Sequence, residues 1–406
     1  MKNRKLNTLT TASLLVLLAA TGAQAQVSDD AVRIGVMADQ TGPYSGNGGP
    51  GSTLAVRMAV EDFGGKVLGK PVEVLVADDQ NKPDVGTNIA RQWLEQNKVD
   101  SIIGGSASSI ALSVSGMMKA AKKPYLIAGT VASDLTGKAC SPMNIQFAVD
   151  TYSMPKAGVQ SLMNQGIKSF FFVSVDYAFG AAFQAEATKF IEAAGGKVVG
   201  SVKHPLGTTD FSSYLMQAQA SKAQAIVILN AGLDQTNALK QAAEFRIARG
   251  GQAVSVFGMT INAVHAMGLD VAQGLQFTDP MYWDHNNETR AWSKRFMDRN
   301  NGVAPTYIMA SAYSATLHYL KAVQAAGTDE GGAVMAKMKA TPINDFSMKN
   351  VRIREDGQTM RPVYAALVKT PAESKGKYDY YTLKGEIPGE QVFRPLAEGG
   401  CDFVKK

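Results

Sequence analysis

The feature that most constrains the fold is a regular alternation of short apolar runs with amphipathic segments. The apolar runs have strand length and cover residues 32–38, 72–77, 101–103 and 125–127. The segments between them, 52–63, 85–96 and 110–121, have helical periodicity. Because parallel strands need a long crossover, usually a helix, this order predicts a parallel sheet covered by helices.

A second unit of the same kind follows further along the chain. Helices are predicted at 154–165, 181–194, 211–220 and 235–245, and strands at 169–175, 197–202, 225–229 and 254–258. Asp234 is predicted to be the N-cap of the helix 235–245. Two similar halves of this type predict an α/β protein with two lobes.

The last third of the chain has a different character. Trp292 and Phe296 are predicted to share one face of the polar segment 284–303, and an apolar helix is predicted at 307–326. A further helix is predicted at 332–339, followed by antiparallel strands at 351–354, 363–368 and 379–383, with a tight turn at Asp356-Gly357.

The first residues predict export from the cytoplasm. Lys2, Arg4 and Lys5 precede an apolar run at 12–20, and Ala23-Gln24-Ala25 has the small residues of a cleavage site near Ala25. The leader has no cysteine at that site to carry a lipid, and no later run of about 18 apolar residues predicts a membrane span. We therefore expect a periplasmic protein without a membrane anchor.

The length of the chain bears on the number of lobes, and its charge bears on the partners it can bind. Removal of the leader leaves 381 of the 406 residues, which is long for a single core. The formal charge of +6 includes the three leader cations, and the remaining +3 is spread without a block of like charge. We therefore expect no nucleic acid partner.

The two cysteines, Cys140 and Cys401, are predicted to form a disulfide because the expected compartment is oxidising. The alternative is a pair of buried free thiols. A bond would hold the end of the chain, residues 391–406, against the middle of the chain.

Motifs of enzymes give no strong candidate. Gly46-Asn47-Gly48-Gly49-Pro50-Gly51 matches a dinucleotide fingerprint formally, but it begins well after the strand 32–38 and Pro50 removes an amide. Pro71 stands where the loop 64–70 would need a Ser or Thr for magnesium and phosphate. The four histidines lack the spacing of a zinc site. We expect no enzymatic activity, no cofactor and no metal.

Small polar residues follow several strands of the predicted sheets. The turns are Gly104-Gly105-Ser106-Ala107-Ser108-Ser109 and Ala128-Gly129-Thr130-Val131-Ala132-Ser133, and the second half has Asp176-Tyr177-Ala178-Phe179-Gly180. Ligands of wound parallel sheets bind at this edge, where helix N-termini present free amides that suit a carboxylate. Ser106 and Ser133 could instead be helix caps, and one of the two aromatic rings could pack inside.

A series of motifs spread over nearly the whole mature chain resembles a known family. In chain order they are Ile34-Gly35-Val36 with Thr41-Gly42-Pro43, Ala59-Val60-Glu61-Asp62, Val76-Ala77-Asp78-Asp79-Gln80, residues 100–104, Ser133-Asp134-Leu135-Thr136, Asp176 with Phe179-Gly180, and residues 205–207 with Asp210-Phe211-Ser212. The chain resembles the periplasmic substrate-binding proteins of ABC transporters, in the branched-chain amino acid (leucine-binding) family. The resemblance implies a type I fold, in which three hinge crossovers join two Rossmann-like lobes that close on a ligand and deliver it to permease subunits.

The resemblance also implies domain boundaries. The first lobe is expected to comprise 26–148 and about 279–350, and the second lobe 149–278 and about 351–390. The tail 391–406 is expected to return toward the first lobe, and the protein is expected to be a monomer.

Site residues are carried over by position. Ser108 and Gly129-Thr130-Val131 match the family's carboxylate-binding elements, Asn47 stands where leucine binders have an aromatic residue, and Phe179 matches an aromatic residue that covers the ligand. The expected ligand-binding residues are Asn47, Ser106, Ser108, Gly129, Thr130, Val131, Tyr177, Phe179, Asn230 and Thr260.

Two departures from the family bear on the ligand. Thr260 occupies the place of the acidic residue that holds the ligand's ammonium group, and the family's tyrosine is missing near 230–233. Because a buried ammonium without a counter-charge is costly, we expect an aromatic or other organic acid. Branched-chain amino acids, amides, a role as a sensor for a membrane receptor and an exported hydrolase remain alternatives.

Overall fold

The computed structural model describes residues 27–404, and the predicted leader 1–25 with its cleavage site lies outside the described residues. The first lobe contains a six-stranded sheet in the order β2-β3-β1-β4-β5-β6, parallel except for β2. Its strands are β1 (Val32–Ala38), β2 (Lys66–Val67), β3 (Lys70–Asp78), β4 (Ser101–Gly104), β5 (Tyr125–Ile127) and β6 (Asn144–Gln146). The helices α1 (Gly49–Phe63), α2 (Pro83–Glu95) and α3 (Ser108–Ala121) connect them.

The second lobe is built around a four-stranded parallel sheet in the order β10-β9-β7-β8. Its strands are β7 (Ser169–Val175), β8 (Lys197–His204), β9 (Ala225–Leu229) and β10 (Ala253–Ser255). The helices are α4 (Ser153–Asn164), α5 (Ala178–Ala193), α6 (Ser212–Ala220), α7 (Gly232–Glu244), α8 (Ile261–Met267) and α9 (Leu269–Ala272).

The central strand β7 shows why its sequence is a continuous apolar run. Phe170 and Phe172 belong to one hydrophobic cluster, and Phe171 and Val173 belong to another. Successive side chains of a strand point to opposite faces, and helices cover both faces of this sheet. The strand therefore has no solvent face that would call for polar residues.

The last third of the chain contributes to both lobes. The antiparallel sheet of β11 (Gln276–Asp279), β12 (Val363–Val368) and β13 (Tyr381–Ile387) borders the second lobe, where β11 contacts α4. The helices α10 (Asn287–Arg299), α11 (Tyr307–Ala326) and α12 (Gly331–Ala340) belong to the first lobe, where α11 packs along α1. The rings of Trp292 and Phe296 lie 5.3 Å apart on the buried side of α10, as predicted. The short helix α13 (Gly389–Val392) follows β13.

The chain passes between the lobes beside the buried guanidinium of Arg361. Nη1 of Arg361 donates to the carbonyl of Phe147 at 3.4 Å, and Nη2 donates to the carbonyl of Pro280 at 2.7 Å. Gln146 and Gln358 form an isolated β-bridge between the segment that contains Phe147 and the segment that contains Arg361. The Arg361 side chain therefore joins the three segments that cross between the lobes, which contain Phe147, Pro280 and Arg361 itself. The predicted fold class, a type I periplasmic binding fold with two parallel-sheet lobes, is confirmed.

The predicted disulfide is also present. Cys140 and Cys401 are bonded, with their Cα atoms 5.6 Å apart and a sequence separation of 261. Arg394 in the same tail donates to the carbonyl of Ser133 at 2.6 Å. The end of the chain is thus held against the segment that follows β5.

Two predictions of local structure were wrong. Asp234 is not an N-cap, because α7 already begins at Gly232 and the Asp234 carboxylate accepts a hydrogen bond from the backbone amide of Gly207 at 3.1 Å. The segment 351–354 is not a strand of a sheet and forms only isolated bridges, through Val351 and Ile353. The partner of Asp234 lies 27 positions away in the sequence, which local patterns do not encode.

Candidate ligand-binding site

A cavity of about 90 Å³ lies between the lobes, beyond the carboxyl ends of the parallel strands. Its wall includes Ala38 at the end of β1, Gly104 at the end of β4 and Asn230 directly after β9. The edge predicted from the sequence is therefore the one that faces the cavity. This size limits a ligand to a small molecule.

The turn after β4 has a backbone that requires glycine. Gly104 has φ +110°, and a Cβ there would lie 2.2 Å from the carbonyl oxygen of Met37. Ser106 does not cap α3; its hydroxyl donates to the buried Asp79 carboxylate at 2.8 Å and accepts from the amide of Asp39. Ser106 thus lines the cavity while its hydroxyl holds the turn in place.

The predicted carboxylate-binding elements separate into two groups. Ser108, Gly129 and Val131 line the cavity, with Ser108 at the first position of α3. Thr130 is not among the lining residues; its side chain is buried and donates to the carbonyl of Gly105 at 2.7 Å. Thr130 therefore joins two turns of the first lobe and leaves Ser108 as the hydroxyl available to a ligand.

The edges of the two lobes are in contact around the cavity. The Thr260 hydroxyl donates to Oδ1 of Asn47 at 3.1 Å, and the hydroxyls of Tyr44 and Tyr177 are 2.8 Å apart. Gly232 approaches the first lobe so closely that a Cβ there would lie 2.4 Å from a backbone carbonyl oxygen. The expected site residues Asn47, Tyr177 and Thr260 thus line the cavity and also join the lobes.

Aromatic and aliphatic side chains form much of the wall. The rings of Phe179 and Phe183 lie 5.2 Å apart in the second lobe, and Tyr307 and Ile308 contribute from the start of α11 in the first lobe. Phe179 is a wall residue as expected. Apolar and aromatic walls with a few polar groups are typical of small-molecule sites.

Asn230 is the polar side chain at the end of β9. It is 2% exposed, and its Nδ2 lies 3.0 Å from Nε2 of His204. Gln235 donates to the carbonyls of both Asn230 and Gly258, at 3.1 and 3.0 Å, which ties the loops after β9 and β10 together. This network fixes the second-lobe wall.

Several helices begin at the wall of the cavity. No charged side chain lines the cavity in the described range 27–404. Instead, the first turns of α1, α3, α5 and α7 contribute to the wall, and none of these four helices has a side-chain hydrogen bond at its N-cap. Free amides at helix N-termini carry partial positive charge and bind anions. The arrangement favours a negatively charged ligand.

Sequence reasoning did not select several wall residues. Tyr44, Gln235 and Tyr307 all line the cavity. Tyr44 directly follows the motif Thr41-Gly42-Pro43, and Gln235 lies in the first turn of a predicted helix, so both positions gave a signal. Tyr307 comes from far along the chain, and only the packing of α11 against α1 brings it to the site.

Residues 27–404 contain neither a candidate metal site nor a candidate membrane-spanning helix. No group of three or more His, Cys, Asp or Glu side chains has the geometry to hold a metal ion among these residues. None of the helices in the described range is both long enough and apolar enough to cross a membrane.

The known proteins that this chain resembles belong to one family. Residues 31–377 match the family described as periplasmic binding protein. A periplasmic binding protein from Burkholderia mallei is 42% identical, with a TM-score of 0.90 over 93% of this chain and 100% of that one. A branched chain amino acid ABC transporter periplasmic ligand-binding protein from Burkholderia xenovorans LB400 is 38% identical, with a TM-score of 0.81 over 91% and 99%.

Among curated proteins, the Leu/Ile/Val-binding protein homolog 6 of Brucella abortus (strain 2308) is 28% identical over 221 residues. That match covers 53% of this chain and 54% of the relative, so the chain spans about half the length of the curated relatives it matches. The resemblance seen in the motifs is confirmed, and the chain belongs to the periplasmic binding protein family.

Proposed function

We propose that this protein captures a small carboxylate-bearing solute, an aromatic or other organic acid, between its two lobes and delivers it to the permease of an ABC importer. The observation that carries the proposal is the cavity in which four uncapped helix N-termini meet and which no charged side chain lines within residues 27–404. Such a site stabilises one negative charge without a counter-ion.

The same electrostatics disfavours an α-amino acid. A buried ammonium group needs an acidic partner, and the cavity wall has no carboxylate in the described part of the chain. Thr260, which stands in place of the family's acidic residue, already donates its hydroxyl to Asn47. A carboxylic acid without an amine meets no such cost.

The wall suits a ligand with an apolar or aromatic body. Phe179 and Phe183 provide ring surfaces in the second lobe, and Tyr307 provides one in the first lobe. Aromatic rings pack on one another with a gain of about 0.5–1.5 kcal/mol beyond their burial. We therefore place the carboxylate near Ser108 and the body of the ligand against these rings.

Closure of the lobes would be the output of binding. A ligand that contacts both lobes favours the arrangement in which they meet, and this shifts the population toward the closed form. The permease would then bind the lobe surfaces brought together. We further propose that the protein is a monomer of the periplasm, exported by its leader.

Branched-chain amino acids are the second candidate. The observation that favours them is the 38% identity to a protein whose name includes branched chain amino acid transport. A lone ammonium in this cavity would have to be met by neutral acceptors, which is why we rank this candidate lower.

A thermal-shift screen of the exported form tests the proposal. A ligand at about 100 times its dissociation constant stabilises the folded state by roughly 2.7 kcal/mol. Benzoate-like and aliphatic acids should raise the midpoint, whereas leucine, isoleucine and valine should not. A shift by the amino acids alone would overturn our interpretation of Thr260.

A substitution in the first lobe tests the position of the carboxylate. Ser108→Ala should weaken an acid found in the screen by about 1–3 kcal/mol in calorimetric titration, because it removes a hydrogen bond to a charged group. Ser109→Ala is the control, since Ser109 is the next residue of the helix and does not line the cavity. Equal affinities of the two variants would remove Ser108 from the site.

A further inference from the structure

The disulfide joins two segments that belong to different lobes. Cys140 lies between β5 and β6 of the first-lobe sheet. The chain reaches Cys401 from the second lobe, since β13 pairs with β12 and the following helix α13 contacts α4. Residues 393–401, here called the strap, therefore form a covalent connection between the lobes in addition to the three crossing segments beside Arg361.

The strap packs closely on the first lobe. The guanidinium of Arg394 donates to the carbonyl of Ser133 at 2.6 Å. Gly137 leaves no room for a side chain, because a Cβ there would lie 2.5 Å from Nη2 of Arg394 and 2.9 Å from the carbonyl oxygen of Gly399. With the disulfide at its far end, the strap is held on the first lobe and moves with it.

The other side of the strap faces α5 of the second lobe. Nη1 of Arg394 lies 3.8 Å from Oε1 of Glu186, and the side chains are 11% and 19% exposed. Nζ of Lys189 lies 3.9 Å from Oε2 of Glu398, and this pair is exposed to solvent. The strap and the helix thus present one cation and one anion each, in matching positions. The partly buried pair of Arg394 and Glu186 contributes more, since exposed pairs are weak.

Helix α5 links the strap to the cavity. Tyr177, directly before α5, contacts Tyr44 of the first lobe, and Glu186 and Lys189 lie further along the same helix. A packed helix moves as part of its lobe in a hinge motion. Separation of the lobes at the cavity would therefore also withdraw α5 from the strap, which stays on the first lobe. The ion pairs favour the arrangement in which the lobes meet.

We propose that the strap holds the two lobes together in the ligand-free protein. The disulfide keeps the strap in place, so its contacts with α5 form within one molecule at high effective concentration. The inference goes beyond the proposed function and does not depend on which solute the cavity takes. Its consequence for any ligand is tighter binding, because a larger fraction of the protein already has the arrangement that binds.

Hydrogen exchange of the ligand-free exported form tests the inference. The amide of Leu233 in the second lobe donates to the carbonyl of Pro43 in the first lobe at 3.1 Å, so it exchanges when the lobes separate. The amide of Asp176 donates to the carbonyl of His204 at 2.8 Å within the second lobe, so it exchanges when that lobe unfolds. The ratio of the two rates measures opening of the cleft separately from unfolding.

Two variants release the strap in different ways. Cys140→Ala with Cys401→Ala removes the covalent anchor, and Arg394→Met removes the guanidinium while the disulfide stays intact. Each should speed exchange of Leu233 relative to Asp176 by about 5- to 50-fold, because hydrogen bonds to charged groups are among the stronger contacts. The second variant keeps the test valid if the loss of the disulfide impairs folding.

A third variant assigns the effect to the contact with α5. Glu186→Gln should speed exchange of Leu233 by about 2- to 5-fold, as expected for the loss of one ion pair. In the Arg394→Met background it should have no further effect, since the partner is already gone. Arg299→Met is the control, because Arg299 pairs with Glu61 at 2.6 Å within the first lobe, and the ratio of rates should not change.

Three outcomes would overturn the inference. The first is exchange of Leu233 in the wild type at the rate of an amide without a hydrogen bond, since the lobes would then not be held together. The second is an unchanged ratio of rates in both the cysteine variant and Arg394→Met. The third is a rise in the ratio for Arg299→Met as large as that for Arg394→Met. None of these results depends on a ligand, so the proposed function is tested separately.

Discussion

The contact between Tyr44 and Tyr177 offers a quantitative test of lobe closure. Their hydroxyls are 2.8 Å apart across the cleft, and burial raises the pKa of both phenols, so both remain protonated and one donates to the other. Tyr44→Phe leaves the Tyr177 hydroxyl unpaired when the lobes meet, at a cost of about 1–3 kcal/mol. Since water satisfies both hydroxyls in an open form, the cost falls on closure, and ligand affinity should fall by roughly 5- to 150-fold.

The double variant sharpens the test. When both partners become apolar, no unpaired hydroxyl remains, so Tyr44→Phe with Tyr177→Phe should bind more tightly than either single variant. Affinities come from calorimetric titration with an acid found by thermal shift. Tyr319→Phe is the control, because Tyr319 is buried in α11, away from the cavity wall. Strictly additive losses in the double variant would refute the reasoning, since they would mean that the two hydroxyls act independently.

Three further predictions concern closure and stability. Gly232→Ala should weaken ligand binding roughly 10-fold in titration, because its Cβ would meet a first-lobe carbonyl, whereas Gly274→Ala, at a similar positive φ in open space, should not. Replacement of Cys140 and Cys401 by alanine should lower the free energy of unfolding in urea by about 2–5 kcal/mol, because the bond joins residues with a sequence separation of 261. Burial raises the pKa of Asp279 from 3.8 to about 7, so the protonated carboxyl favours the folded state. In urea unfolding, Asp279→Asn should therefore be more stable than the wild type at pH 8. The difference in stability should shrink toward pH 5, where the carboxyl of the folded wild type is protonated.

Buried strands were the elements that the sequence predicted best. The strands β1, β5, β7 and β9 have the predicted bounds, because each is a short apolar run with helices on both sides of its sheet. Helix starts were less predictable. The chain enters α1 at Gly49 and α7 at Gly232 without a capping side chain, so the usual cap signal is missing.

For the candidate site, the sequence predicted the position but not the role of each side chain. Turns of small polar residues after the strands indicated where a ligand would bind, since the carboxyl ends of parallel strands share one edge of a sheet. The role of each side chain could not be read in this way. Thr130 and Ser106 have the composition of ligand-binding residues, yet Thr130 bonds to Gly105 and Ser106 bonds to Asp79, because neighbouring turns need these hydroxyls for their own polar groups.

The sequence by itself determined the family, the two wound sheets and the pairing of Cys140 with Cys401, because these depend on periodicity, motif order and composition. Tertiary structure alone decided which polar groups remain free in the cavity. Asn230 and His204 are 26 positions apart in the sequence, and only the folded sheet, in which β8 and β9 flank β7, brings them together and orients the amide. The reason is physical: a hydrogen-bonding group is available to a ligand only after the folded chain has satisfied its own donors and acceptors.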